Sequence, residues 1–551
     1  MRRPSYLEAC RGFRWSDTFR SLEWEPSAPV DLARTIVDRH VGASRPALRW
    51  HGKDGASRTC SFEELSRLSS RFCGWLRAHG VGEGDRVAGF LPRIPETIAV
   101  ILGTWKAGGV YVPIFTGFGA DAIEFRVRHS EAKVLCTQWE HRPRVPAPLP
   151  GGAPIVTIAG RAPLPEGDVS FGDAVGGPPD RVAPVERRRD DPAVLLYTSG
   201  STGAPKGVQI AANFVAAVHP WMVYGVDLRP DDVFWPTGDP GWGYGLVCYM
   251  AALAMGTTVS CHEGPPTPKY CLERLSRDRV TNLATTPTVL RGIMALPPDR
   301  LRRAPVRLRR VSSCGEPLNA EVVRFFQDRW NVTVMDHYGA SEFGLPIGNG
   351  SALEMEVRPG SMGLPFPGCT MAIVDDEGRE VAREEVGHIA MRQDPQGYYA
   401  LGYWRDEARW REAHRGGWMT IGDLGRRDGD GYFWFEGRAD DVIKSAGYRI
   451  GPFEVESAIL LHPAVAEAAV VGRPDPLRGQ IVAAFVVLKP GGRPYPGLTE
   501  EIVEIVKTRV GRHQYPREVE FLTELPKTET GKIQRFLLRR PAPPAHAKER
   551  A

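Results

Sequence analysis

Nine cysteines in 551 residues form no C-x-x-C pair, and nine is an odd number. A disulfide scaffold and a cysteine-rich zinc site are thereby excluded, and a reducing, cytoplasmic compartment is expected. Neither sign of charge dominates: 70 Lys and Arg stand against 66 Asp and Glu, net +4, too little for a dedicated nucleic-acid binder. Long apolar runs are missing too. The most apolar window, Thr97 to Phe115, is interrupted by Lys106, Gly108, Gly109 and Pro113, so it reads as a buried helix followed by a buried strand, with no membrane span. No apolar stretch follows the basic start "MRRPSYLEACRGFRW", so no secretory signal is expected, and no internal repeat is found. What remains has ordinary globular composition, 42% hydrophobic and 25% charged, at a length that calls for two or more domains.

Helical and strand-like segments alternate through the first 430 residues. "SFEELSRLSSRFCGWLRAHG" opens on a Ser61 cap with a glutamate three residues later, "DRVAGFLP" reads as a strand, and "PETIAVILGTWKAG" as the next helix. Such units imply an α/β sheet layered with helices. Near residue 437 the texture changes to a short α+β pattern: a strand, a helix from Pro452, the strand "IVAAFVVL", the helix "LTEEIVEIVKTRV", then a strand leading to an exposed loop. The expected organisation is α/β: a large N-terminal domain over 1–437, a small mobile α+β domain over 438–540, and a disordered tail over 541–551. Six arginines cluster between Asp299 and Arg310. They read as a solvated surface stretch or a docking patch for a polyanionic cosubstrate.

The densest chemical signal is "TSGSTGAPKG", Thr198 to Gly207, with three glycines separating hydroxyls and a lysine. A Walker A loop would read G-x-x-x-x-G-K-[ST] between a strand and a helix. Here Pro205 precedes Lys206 and Gly207 follows it, while "AVLLY" and "GVQI" on either side both read as strands. The loop therefore closes a hairpin, and phosphate must be held by backbone amides, hydroxyls and one lysine.

With "LLYTSGSTGAPKGV" go "HYGASEFG" (337–344), "GDLG" (422–425), "GRADDVIKSAGYRIGPFEVE" (437–456) and "PKTETGK" (526–532), in that order. Together they resemble the adenylate-forming superfamily of acyl-CoA synthetases, nonribosomal adenylation domains and luciferases, and most closely the short- and medium-chain acyl-CoA synthetases. The resemblance implies an AMP-forming acid–thiol ligase: a carboxylate attacks the α-phosphate of ATP to give acyl-AMP and pyrophosphate, then coenzyme A displaces AMP. ATP, Mg²⁺ and coenzyme A are the implied cosubstrates and cofactor. By the same resemblance Thr198, Ser199, Gly200, Ser201, Thr202, Gly203 and Lys206 hold the β- and γ-phosphates. Gly315, Glu316 and Pro317 lie along the nucleotide, as do Asp336, His337, Gly339 and Ser341, while Tyr338 stacks on adenine. Glu342 with Thr198 holds Mg²⁺, Asp423 binds the ribose, and Arg438 and Arg449 meet ribose or phosphate. Lys532 is the implied catalytic residue, an ammonium placed between carboxylate and α-phosphate. Asp440 is the implied hinge, about which the small domain rotates to bring Ala446, Gly447 and Tyr448 into a pantetheine tunnel.

Trp242 and Gly243 are expected to line the acyl pocket. Acetate-specific members of the superfamily carry a tryptophan where this chain has Gly339. The pocket is accordingly expected to take short- to medium-chain or small aromatic monocarboxylic acids, with Gly243 and Gly245 leaving further room. The alternatives are a stand-alone adenylating enzyme loading a carrier protein, an acetyl-CoA synthetase, and a catalytically silent ATP-binding regulator. Only nineteen residues follow Lys532, too few for an attached carrier domain. The expected partners are small molecules, with no nucleic acid.

Overall fold

The computed structural model describes the chain except residues 1–2, 159–162, 178–184, 199–204, 317, 440, 446–447, 477, 512–513, 528–532 and 540–551, and gives the backbone alone at 150, 444, 448 and 449. The chain packs as two units, Met1–Met371 with Met391–Met419, and Ala372–Ala390 with Thr420–Ala551. This division differs from a break at 437, because the strands Trp418–Arg427 and Phe433–Arg438 pair as a hairpin and carry the residues before 437 into the second unit.

The first unit contains two large sheets. One runs, in spatial order, Leu364–Pro365, Gly344–Gly348, Val334–Ala340, Arg310–Cys314, Asn282–Thr285, Val233–Pro236, Thr258–His262, Leu48–His51 and Ser57–Cys60. Its centre is parallel, from Val334–Ala340 across to Leu48–His51. The other runs Ala400–Tyr403, Lys206–Ala211, Pro192–Thr198, Val110–Pro113, Arg86–Phe90, Val134–Gln138, Ile155–Ile158 and Val169–Ser170. The apolar window resolves as expected into the helix Pro95–Lys106 and the strand Val110–Pro113, both buried. Its Lys106 is buried as an ion pair with Asp38 at 3.0 Å, with Ser70 Oγ accepting a further hydrogen bond at 3.0 Å. The preceding helix, Phe62–Ala78, starts where expected, with Ser61 Oγ accepting from the Glu64 amide at 3.0 Å. Phe62, Leu65, Ser69, Phe72, Cys73 and Leu76 form its buried face. The two helices meet at Gly103, where a Cβ would come within 2.8 Å of Phe72 and 2.9 Å of the Ser69 carbonyl.

In the second unit the strands Tyr448–Ile450, Ile443–Ser445, Gly479–Leu488 and Val465–Asp475 lie side by side, with Glu518–Leu522 parallel to Gly479–Leu488. The helices Pro452–Ile459 and Leu498–Arg509 cover them, burying Val455, Ile459, Ile502 and Val506 against Val470 and Val486. Part of the arginine-rich stretch has a structural use: Arg309 and Arg310 are half-buried against Asp227 and Asp232, not solvated.

Candidate active site

Four of the chemically dense segments follow the C-terminal ends of neighbouring parallel strands. "TGDPGW" follows Val233–Pro236, "TP" (286–287) follows Asn282–Thr285, "GEP" follows Arg310–Cys314, and Ser341–Glu342 follow Val334–Ala340. That edge of an open α/β sheet is where backbone groups are left free to receive a ligand. The glycine-rich loop is a hairpin connection, as expected: Pro192–Thr198 and Lys206–Ala211 are antiparallel, and Thr198 pairs with Lys206 at the tip. Residues 199–204, including Ser199, Gly200, Ser201, Thr202 and Gly203, lie outside the described residues. The buried Thr198 Oγ1 at the base of the loop has no hydrogen-bond partner among the described residues.

Lys206 bridges the two sheets of the first unit. Its Nζ is 2.7 Å from Glu342 Oε1, and the side chains are 16% and 6% exposed. Sequence reasoning missed the third member, Tyr403. Its hydroxyl accepts from Lys206 Nζ at 2.5 Å and donates to Glu342 Oε1 at 2.8 Å, and the ammonium lies 4.4 Å from its ring centroid. Burial and the Glu342 charge both push the Tyr403 phenol well above its ordinary range, so it stays protonated and donates. Tyr403 arrives there because Ala400–Tyr403 pairs with Lys206–Ala211, beside the lysine. Only the aromatic "GYW" at 402–404 marked it in the chain.

Around Glu342, strand alternation sorts the expected nucleotide residues. Tyr338 and Asp336 share one face, and His337 takes the other. The Asp336 carboxyl is buried, held by the Leu318 and His337 amides, and its pKa is raised well above normal by desolvation. For His337 the structure corrects the expectation. Trp221 Nε1–H donates to its Nδ1 at 2.9 Å and its Nε2 donates to the Asn349 carbonyl at 3.2 Å, so both ring nitrogens are occupied inside the core. Burial lowers its pKa to about 4, which keeps the ring neutral. Glu316 is similarly engaged: Thr288 donates to it at 2.8 Å and Arg291 at 2.7 Å, leaving its backbone to face a ligand. Gly315 has a φ of +96° with open space around it, and Pro317 lies outside the described residues.

The glycines of the expected acyl pocket need a second correction. Gly339 sits at a register shift between Val334–Ala340 and Gly344–Gly348, where a Cβ would come 2.2 Å from the Gly344 carbonyl. Its missing side chain therefore closes a strand turn, and a tryptophan there has no room. Gly245 likewise packs on backbone, a Cβ lying 2.1 Å from the Asp239 carbonyl. Gly243 is placed where it can serve a site: its Cβ direction meets Leu196 at 2.7 Å and Ser341 Oγ at 3.8 Å. Half-buried Trp242 caps the helix Gly243–Ala254 and meets Phe115 edge-on, centroids 6.4 Å apart. Nearby Asp239, also missed from sequence, is buried, accepting from Thr116 at 2.8 Å and the Gly241 amide at 2.8 Å.

In the second unit Asp423 and Arg438 are cross-strand partners. Arg438 donates to Asp423 Oδ1 at 2.9 Å and to the Ile421 carbonyl at 3.0 Å. Gly422 has a φ of +85°, and a Cβ on it would meet that guanidinium at 3.2 Å. Arg449 and Tyr448 lie on the strand Tyr448–Ile450, with their side chains outside the described residues. Lys532, Asp440, Ala446 and Gly447 lie wholly outside them. The base of the segment carrying Lys532 is anchored all the same. Lys527 and Ile533 form an antiparallel bridge, and the Gln534 amide donates to the Pro526 carbonyl at 2.8 Å. Arg535 donates to both oxygens of buried Glu456 at 2.8 Å, and Arg539 pairs with Asp441, the neighbour of the expected hinge.

Comparison with known proteins decides the family. The AMP-binding enzyme family matches residues 37–404, and the AMP-binding enzyme C-terminal domain matches 454–532. The chain belongs to the AMP-binding enzyme family. It is 35% identical over 495 residues to an acetyl-coenzyme A synthetase of Bacillus subtilis, covering 88% of this chain and 86% of that one. It is 37% identical over 465 residues to 4-hydroxybutyrate–CoA ligase 1 of Metallosphaera sedula, covering 82% and 80%. The crystal structure of an acyl-CoA synthetase from Brucella canis matches with a TM-score of 0.78 at 41% identity, over 97% and 98% of the two chains. The fold is that of the adenylate-forming enzymes, and the protein is an AMP-forming acid–CoA ligase that makes acyl-CoA by way of an acyl-AMP. Among the described residues no helix is long and apolar enough to cross a membrane.

Proposed function

We propose that this ligase activates a short- to medium-chain monocarboxylic acid, with the triphosphate received at Thr198, Lys206, Tyr403 and Glu342. One observation carries the reading: a lysine, a carboxylate and a protonated phenol converge, mostly buried, beside an unpartnered threonine hydroxyl. In the free enzyme Lys206 and Glu342 neutralise each other. When an anion and its cation enter, the ammonium turns to phosphate and the carboxylate to the cation, so both charges exchange partners with none left alone. The donor set is hard oxygen, Glu342 with Thr198, which fits Mg²⁺. When bound, that ion supplies charge neutralisation to the phosphates. Tyr403 holds Glu342 in place throughout, through its 2.8 Å hydrogen bond.

In the first unit Tyr338, on the strand Val334–Ala340, is the ring for adenine. In the second unit Asp423, its orientation set by the Arg438 guanidinium, is the carboxylate for ribose. Lys532 supplies the ammonium between acid and α-phosphate in the first half-reaction; the bridge at 527 and 533 and the Arg535–Glu456 pair support the base of its segment. Asp440 is the pivot. Trp242 and Phe115 wall the acyl pocket. Nine free cysteines, seven of them buried, support a reducing, cytoplasmic setting.

Each methylene buried against that wall contributes about 0.8 kcal/mol, roughly fourfold in kcat/KM. Pyrophosphate release measured across acetate, propionate, butyrate, 4-hydroxybutyrate, hexanoate and benzoate tests the reading. Acids of four carbons or more are expected to exceed acetate at least tenfold. The likeness to an acetyl-coenzyme A synthetase favours a second reading, acetate itself, and a maximum at acetate would establish it.

A further inference from the structure

A second cluster of ligating side chains lies in the first unit, on the other flank of the nine-stranded sheet. The strands Leu48–His51 and Thr258–His262 are parallel and in register, with His51 opposite His262. Their imidazoles stack with centroids 4.7 Å apart. Asp278, at the C-terminal cap of the helix Pro268–Arg277, turns its carboxylate onto both rings. Its Oδ2 is 3.6 Å from His51 Nε2 and 3.5 Å from His262 Nε2, and all three atoms lie within 4.8 Å of one another. The Asp278 side chain is 9% exposed and that of His262 2%.

None of the separations from Oδ2 is a hydrogen bond. Among the described residues Asp278 Oδ2 and His51 Nε2 are buried without a hydrogen-bond partner, although they face each other. The outer atoms, by contrast, are all held. His51 Nδ1 is 2.9 Å from Ser57 Oγ, His262 Nδ1 is 3.0 Å from Tyr270 Oη, and Arg274 donates to Asp278 Oδ1 at 3.4 Å. These contacts turn both Nε2 atoms and one carboxylate oxygen inward, as the outer hydrogen bonds of metal-ligating side chains do. Ser260 Oγ lies 2.8 Å from His262 Nε2 and holds the position that a metal ion would take on that ring.

We propose that His51, His262 and Asp278 form a binding site for a borderline divalent transition-metal ion, of which Zn²⁺ is the type. Around zinc, with bonds of about 2.0–2.2 Å, tetrahedral ligand atoms stand roughly 3.3–3.6 Å apart, close to the two separations from Oδ2. Two imidazoles and a carboxylate are the ligand chemistry of such ions, whereas Mg²⁺ takes oxygen. The His51 side chain, 13% exposed, is the side of the cluster nearest solvent. The ion would join the strand Leu48–His51 to the end of the helix Pro268–Arg277, so its effect is stabilisation of this flank, separate from the Lys206–Glu342 centre.

Isothermal titration of the full-length protein with Zn²⁺, in buffer free of Mg²⁺ and nucleotide, tests the site. Titration with Co²⁺, read by its visible d–d bands, reports imidazole coordination. One equivalent is expected for the unaltered protein, with a rise in melting temperature that saturates with the ion. Asp278→Asn and His51→Gln, which keep shape at partly exposed positions, are each expected to weaken binding at least about tenfold and to remove the thermal shift. Absence of binding to the unaltered protein would overturn the proposal, as would equal affinity in both variants, which would place the ion elsewhere.

Discussion

Two charge pairs of similar length sit in the two units and are built to opposite ends. Lys206–Glu342 is 2.7 Å long with a carboxylate 6% exposed, and Arg535–Glu456 is 2.8 Å long with one 8% exposed. Glu456 is fully occupied: Arg535 reaches both oxygens, and the Val470 amide adds a bond at 2.8 Å. Glu342 has a single-point lysine and a phenol, both on the same oxygen. A planar guanidinium with a backbone amide locks a carboxylate in place, whereas a flexible ammonium can let go. The saturated pair holds a fold together, and the unsaturated one is free to exchange.

The largest effect that would break this contrast is expected at Arg535. Arg535→Ala strands a buried carboxylate and should cost the second unit about 3–5 kcal/mol, read as an earlier unfolding transition in denaturant. Acyl-AMP formation should fall with it, through the base of the Lys532 segment. An unchanged transition would show that the two pairs do not differ in kind. Lys206→Met combined with Glu342→Gln should do the reverse. Pyrophosphate exchange is expected to drop about a hundred- to a thousandfold, while the melting temperature stays within a few degrees, since no lone charge is left behind.

Next in size comes acid stability. His337 has a folded pKa of about 4, below the ordinary 6.5, so the folded state resists its protonation. Its contribution is complete above pH 6.5 and is lost as pH falls from 6.5 toward 4, reaching about 3 kcal/mol. His337→Asn should flatten that part of the stability–pH curve, and an unaltered curve would refute the assignment. Smaller again is Gly339→Ala. With its Cβ 2.2 Å from the Gly344 carbonyl, it should lower stability by about 1–3 kcal/mol without shifting chain-length preference. A shift toward acetate at full stability would restore the pocket role of that glycine. Tyr403→Phe should be mildest, about tenfold in kcat/KM for ATP, because one hydrogen bond to a charged group is worth about 1.5 kcal/mol. If it costs as much as the Lys206 and Glu342 pair, the phenol does more than hold Glu342.

Local signals were legible. The Ser61 cap, the Pro95 start, the hairpin nature of the glycine-rich loop and the helix from Pro452 all depend on residues within a few positions of one another, and each is found in the structure. The direction of a side chain was not legible in the same way. His337 lies within a dense signature segment, yet its ring turns to Trp221, 116 residues away, and is lost to a ligand. Tyr403 carries no signature, yet sheet pairing sets it beside Lys206. Sequence alone determined the ligase family and the two-part α/β organisation, because those follow from local pattern and from motif order. Only the tertiary structure decided that Lys206 and Glu342 pair across two sheets, that Gly339 closes a turn, and that His51, His262 and Asp278 meet. Those outcomes depend on register between strands distant in the chain, and register is set by the packing of whole faces rather than by neighbouring residues.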